Sequence, residues 1–220
     1  MTASFELDGP RFGPASGAKA EALVILLHGV GADGNDLIGL APQLAQVLPN
    51  AAFVSPHAPF PFDMAPYGRQ WFSLQDLSPA AVQSGVRAAA PILDAFIDDE
   101  LARHELGDER LVLLGFSQGT MMSLYVALRR AKPCAGVLGY SGALVAPEQL
   151  AEEIRSKPPV LLIHGEADEV VPVQVLPAAV AALEACGVAV TSERRPGLGH
   201  GIDQEGLVRG VRFLVDKLGG

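Results

Sequence analysis

Six short apolar runs, each closed by a glycine or polar turn and separated from the next by a longer segment, constrain this chain more than any other feature. The first, Ala22–Leu27 (ALVILL), is apolar at every position; the others are residues 51–55, 110–114, 135–140, 159–163 and 188–193. A strand sends successive side chains to opposite faces, so one that is apolar throughout must be covered on both. The segments between them have helical spacing. Leu37, Leu40, Leu44 and Leu48 recur at three- and four-residue steps within 36–48, and Ser78 followed by Pro79 has the form of an N-cap with proline in the first turn. That helix is expected to reach about residue 104, kinked or broken at Pro91. Further helices are predicted over 117–130, 147–155, 173–186 and 203–218. Strands alternating with helices imply the α/β class: a three-layer sandwich around a mostly parallel central sheet. No repeat or linker divides residues 1–220, which read as one domain, with 1–20 as an irregular or edge-hairpin lead-in.

One stretch, residues 55–78, carries neither pattern. Its prolines suit an irregular loop, but Phe60, Phe62, Met64, Tyr67, Trp71 and Phe72 make it too apolar for disorder, so it is expected to fold over something. Composition narrows the partners. The net charge is −9 and no dense cluster of Lys and Arg occurs, which argues against nucleic acid and against an anionic membrane surface. No apolar run approaches the ~20 residues of a membrane span. Cys134 and Cys186 lack metal-site spacing and read as free thiols. The N-terminal residues lack a basic region followed by an apolar run, so a soluble, cytoplasmic protein is expected.

Chemistry enters at Gly115-Phe116-Ser117-Gln118-Gly119. This G-x-S-x-G follows a buried strand and opens a helix, the setting in which a tight turn lifts a serine hydroxyl clear of the sheet. A serine is a weak nucleophile near pH 7 and needs a base. Two histidines follow it: His164 closes the PVLLI strand, whereas His200 lies in the loop Gly197-Leu198-Gly199-His200-Gly201, free to swing over the sheet edge. His200 is therefore the expected base. Glu166, Asp168 and Glu169 are the candidate acids, and Asp168 is preferred from the layout HGEAD before VVP. The oxyanion of an acyl-transfer intermediate needs backbone donors. These are expected from the N–H of Gln118 and from the glycine-rich loop after ALVILL, where Val30 is favoured. His28 is read as bracing that loop, and Asp33 and Asp36 as capping.

The ordered segments LLHGVGADGNDL, RQWFSL, LGFSQGTMMS, HGEADEVVP and GLGHGI resemble the phospholipase/carboxylesterase family of α/β hydrolases, over about residues 20–215. The acyl-protein thioesterases belong to that family, and the chain looks most like its bacterial carboxylesterase branch. The resemblance implies an α/β-hydrolase fold without a separate cap domain, and no metal or organic cofactor. It implies Ser117, Asp168 and His200 as catalytic triad and Val30 and Gln118 as oxyanion donors. Members often carry a larger residue where Val30 stands, which leaves the backbone donor intact but alters the neighbouring acyl pocket. The resemblance also implies that the loop before the long helix helps build an apolar acyl site. Trp71, Phe72, Val170 and Val171 are the residues expected near it, and Arg69 and Gln70 are placed where they could meet a polar head group. The expected activity is hydrolysis of short- to medium-chain acyl esters or thioesters through an acyl-enzyme. A lysophospholipase, an acyl-protein thioesterase and a catalytically dead binding protein on the same scaffold stand as alternatives. The aromatic loop leaves room for a homodimer contact.

Overall fold

Alternate residues of the ALVILL strand go to opposite cores. In the computed structural model, which describes residues 6–219, Leu23, Ile25 and Leu27 join one hydrophobic cluster and Ala22, Val24 and Leu26 the other. All six are buried, and full burial of each large aliphatic side chain stabilises the fold by about 1.5–3 kcal/mol.

The strands are β1 (Arg11–Phe12), β2 (Ala22–Leu27), β3 (Ala51–Val54), β4 (Phe60–Pro61), β5 (Arg69–Gln70), β6 (Leu111–Phe116), β7 (Gly136–Tyr140), β8 (Val160–Gly165) and β9 (Val190–Arg195). Seven of them form one sheet in the order β1-β3-β2-β6-β7-β8-β9. All its pairings are parallel except β1 on β3, where Arg11 faces Val54 and Phe12 faces Phe53. The lead-in therefore supplies an antiparallel edge strand, not a hairpin; the expectation for residues 1–5 lies outside the described residues.

The α-helices are α1 (Gly34–Leu37), α2 (Ala41–Leu44), α3 (Pro79–His104), α4 (Gln118–Ala127), α5 (Leu150–Glu153), α6 (Val175–Ala185) and α7 (Gln204–Leu218). Residues of α3, α4 and α6 pack into the core of Leu23, Ile25 and Leu27, whereas α1, α2 and α7 cover the opposite face. The sheet is thus sandwiched between two helical layers, as the alternation of runs required.

Two helical expectations are corrected. Residues 36–48 do not form one helix: α1 passes through a 3-10 turn, Ile38–Leu40, before α2 begins. Pro42 lies in the first turn of α2, where its missing N–H leaves no broken bond, and an uninterrupted helix would have needed that N–H. Conversely, α3 runs on through Pro91. Val86, Ala89, Leu93, Phe96 and Ile97 on either side of that proline are buried, and this continuous apolar contact offsets the lost hydrogen bond. The 55–78 stretch is not wholly irregular either. It folds back as a two-stranded ribbon in which Phe60 faces Gln70 and Pro61 faces Arg69.

Candidate active site

The C-terminal ends of β2, β6 and β8 and the loop after β9 converge at Ser117. At the end of β6 the chain turns abruptly, and Ser117 takes φ 54° and ψ −117°. This is a strained conformation for a residue with a side chain. The Ser117 N–H is fixed on the carbonyl of Tyr140 in the adjacent strand (2.9 Å), and its own carbonyl accepts from Thr120 N (3.0 Å) in the first turn of α4. A Cβ on Gly119 would stand 1.8 Å from the carbonyl oxygen of Leu27, so only glycine lets α4 start this close to β2.

His200 Nε2 lies 3.0 Å from Ser117 Oγ, and His200 Nδ1 lies 2.8 Å from Asp168 Oδ2. The Nδ1–H donates to the carboxylate, leaving Nε2 to accept the serine hydroxyl proton. The loop that brings His200 here is seated on the acid loop: Glu166 N donates to Arg195 O (3.0 Å) and Ala167 N to Leu198 O (2.9 Å). Gly165 makes this possible, because a Cβ there would meet Leu198 O at 2.3 Å. The ring of Phe116 packs on the imidazole, with centroids 4.9 Å apart at 47°. Sequence reasoning missed Phe116, although its place as the x before the serine, at the end of β6, was the available signal.

Asp168 is buried, and its second oxygen accepts from the N–H groups of Val170 and Val171, both at 2.9 Å. Burial pushes its carboxyl group toward protonation. The bond from His200 and the two backbone N–H groups outweigh this and hold it below the usual carboxylate range. Glu166 and Glu169, the other acids considered, are exposed. His164 does not reach the serine. It is buried under the acid loop, donating from Nε2 to Val171 O at 2.7 Å, with Asp168 Oδ2 3.4 Å away.

Gly29, the residue before Val30, and Gln118, the residue after Ser117, flank the serine. Gln118 is the first residue of α4, so its N–H lies beyond the reach of the helical ladder. Gly29 abuts the serine: a Cβ there would stand 3.3 Å from Ser117 Cβ. Its carbonyl is held from behind by His28 Nδ1 (2.7 Å) and Ala32 N (3.3 Å). In a trans peptide the carbonyl and the following N–H point oppositely, so the Val30 N–H is turned away from those two donors.

His28 itself is fully buried. Its Nε2 accepts from Ala58 N at 3.0 Å, and a backbone N–H can only donate, so the ring proton sits on Nδ1. Desolvation lowers its pKa and keeps the ring neutral. Asp33 caps α1 by accepting from Asn35 N at 2.8 Å.

The residues expected at an acyl site separate into two groups. Trp71 and Phe72 are 0% and 2% exposed, so their side chains offer no free face. Trp71 donates from its indole to His28 O (3.0 Å), and the Gln118 amide binds the backbone at both residues. These two aromatics back the site from the core instead of opening onto it. Val170, 66% exposed, and half-buried Val171 do present apolar surface beside Asp168. Of the pair placed to meet a polar head group, Gln70 is buried and Arg69 donates from two guanidinium nitrogens to the carbonyls of Ala58 and Pro59. Among the described residues no cluster of three His, Cys, Asp or Glu is arranged to hold a metal ion.

A family model described as phospholipase/carboxylesterase matches residues 14–216. Among solved structures, the crystal structure of esterase PE8 is 43% identical with a TM-score of 0.93, covering 97% of this chain and 100% of its own. Acyl-protein thioesterase 2 of Zea mays is 26% identical with a TM-score of 0.78, covering 95% and 98%. SOBER1 of Arabidopsis thaliana is 26% identical with a TM-score of 0.76, covering 90% and 100%.

Proposed function

Since the chain belongs to the phospholipase/carboxylesterase family and has its α/β-hydrolase fold, we propose that it hydrolyses acyl esters and thioesters with Ser117 as nucleophile, His200 as general base and acid, and Asp168 as the residue that orients His200. The observation that carries this reading is the unbroken relay Ser117–His200–Asp168, at 3.0 and 2.8 Å, built on a strained elbow. As Ser117 Oγ attacks the acyl carbon, its proton passes to His200 Nε2. The imidazolium so formed is stabilised by Asp168, already held ionised by three hydrogen bonds. The N–H groups of Gln118 and Val30 receive the negative charge on the carbonyl oxygen. His200 then protonates the leaving alcohol or thiol. Water, deprotonated by the same nitrogen, releases the acid and restores Ser117.

Val170 and Val171 are proposed as apolar contacts for the acyl chain, with Trp71 and Phe72 supporting the wall behind. No helix among the described residues is long and apolar enough to cross a membrane. The unpaired Cys134 and Cys186 support a reducing, cytoplasmic setting, and the esterase relatives support a small-molecule acyl ester as substrate.

The test is turnover and active-site labelling together. A fluorophosphonate probe labels the wild type and not Ser117→Ala, and the variant loses more than ~1000-fold of kcat on p-nitrophenyl butyrate. Retained turnover by Ser117→Ala would discard the assignment. Over a series of acyl lengths, an apolar site predicts kcat/KM rising by up to about 0.8 kcal/mol per buried CH₂.

A further inference from the structure

The backbone of Arg69 is bonded on both sides to the loop that carries Val30. Its backbone N–H donates to Ala32 O and its carbonyl accepts from Gly31 N, both at 2.8 Å. Its side chain crosses the other way: Nε donates to Ala58 O at 2.8 Å and one terminal nitrogen to Pro59 O at 2.9 Å. Ala58 in turn donates its N–H to His28 Nε2 at 3.0 Å. The bonds close a ring, from His28 through Ala58 and Arg69 to Gly31, and the Gly29–Val30 peptide is the span left between its ends. A planar fork can hold two successive carbonyls at fixed angles, which a flexible ammonium cannot.

We propose that Arg69 is a positioning residue of the oxyanion hole: by locking the 58–59 and 69 segments together, its guanidinium sets where the Val30 N–H stands relative to Ser117. The inference rests on Val30 being an oxyanion donor. Without the guanidinium the ring opens at one link. The backbone pairings of Arg69 with Gly31 and Ala32 and of β4 with β5 survive, but the carbonyls of Ala58 and Pro59 lose the donors that fix their angle to Arg69 and, through Ala58 N, to His28. Substrate binding in the ground state does not use the oxyanion donors fully, so the loss should fall on the chemical step.

The experiment uses the full chain as Arg69→Met and Arg69→Lys, with p-nitrophenyl butyrate as substrate and a short-chain alkyl trifluoromethyl ketone as probe of the tetrahedral oxyanion. Full loss of one oxyanion donor costs about 100- to 1000-fold in kcat, so its displacement in Arg69→Met is expected to lower kcat roughly 10- to 100-fold with KM changed less than about 3-fold. Ketone affinity should weaken in parallel with kcat/KM, and Arg69→Lys should fall between, since it can satisfy one carbonyl. Unchanged kcat, or lost kcat with undiminished ketone affinity, overturns the proposal. If Arg69→Met does not fold, the same parallel loss, or its absence, is read in Arg69→Lys. Normal wild-type turnover and fluorophosphonate labelling accompanied by indifferent Arg69 variants would sink this proposal alone. A wild type that neither labels nor binds the ketone would remove the hydrolase reading with it.

Discussion

The side-chain amide of Gln118 is hydrogen-bonded to the backbone of Trp71, its Oε1 accepting from Trp71 N at 2.8 Å, while its Nε2 donates to the neighbouring carbonyl of Phe72 at 2.8 Å. The residue that opens α4 beside the serine thus also fastens the aromatic loop to it. Replacing it by leucine keeps the volume and leaves a buried N–H and a buried C=O unpaired, at about 1–3 kcal/mol each. Gln118→Leu should therefore lower Tm by several degrees, measured by circular dichroism, whereas the backbone donor remains present. An unchanged Tm would mean that the loop is held by apolar packing alone.

Stability should fall with pH in two windows. His28 has a folded pKa below its ordinary value of 6.5 because it is desolvated. Below pH 6.5 the unfolded chain takes a proton there and the folded chain does not, so stability present above 6.5 is lost as pH falls toward the folded value. Asp168, also lowered, retains its contribution above about pH 3.9 and loses it as pH falls through its folded value. Tm against pH for the wild type should decline below 6.5, and His28→Asn should flatten that first decline. Parallel curves would rule out His28 as the group responsible.

Gly119→Ala should be among the most damaging small substitutions in the chain. The added carbon would lie 1.8 Å from Leu27 O and 2.4 Å from its carbonyl carbon, both rigid backbone atoms of β2. Relief requires α4 to move away from the sheet, at about 1–3 kcal/mol or more for overpacking, and Ser117 moves with it. The expected result is a soluble yield and Tm well below wild type, with kcat reduced in whatever folds. Gly39→Ala is the matched control, since a carbon there would meet nothing within 4 Å.

The two thiols should react unequally. Burial pushes the Cys134 thiol up to about 12, so almost no thiolate exists at pH 8. Cys186 is half-buried at the end of α6. Iodoacetamide on the native protein should modify Cys186 and spare Cys134 until denaturant is added, which peptide mass mapping resolves. Native-state labelling of Cys134 at a similar rate would indicate that its core opens readily.

Much of the site could be read along the chain because its signals are local. The strand, turn and helix around Ser117 depend on residues within ten positions, and so does the acid loop, where Asp168 accepts from the N–H groups of residues two and three ahead. The reading failed where sequence neighbours and spatial neighbours differ. Trp71 and Phe72 are expected at an acyl site because the resemblance gives their loop that role, yet both are buried and Gln118, forty-seven and forty-six positions away, fastens their backbone from within. By sequence, Arg69 is placed where it could meet a polar head group. Its partners are carbonyls, which every residue carries and no composition reveals. Pro91 is expected to kink or break its helix, but the apolar contacts on both sides of it keep α3 unbroken.

The amino-acid order by itself determined the alternation of strands and helices, the elbow at Ser117 and the choice of the three side chains proposed for acyl transfer, since periodicity, turn chemistry and titration are properties of short stretches. Only the tertiary structure decided the distances between those side chains, the direction of the Val30 N–H and which aromatic rings remain open to a substrate. Those depend on backbone groups packed from remote segments, and a peptide carbonyl has the same chemistry at every position until folding gives it a neighbour.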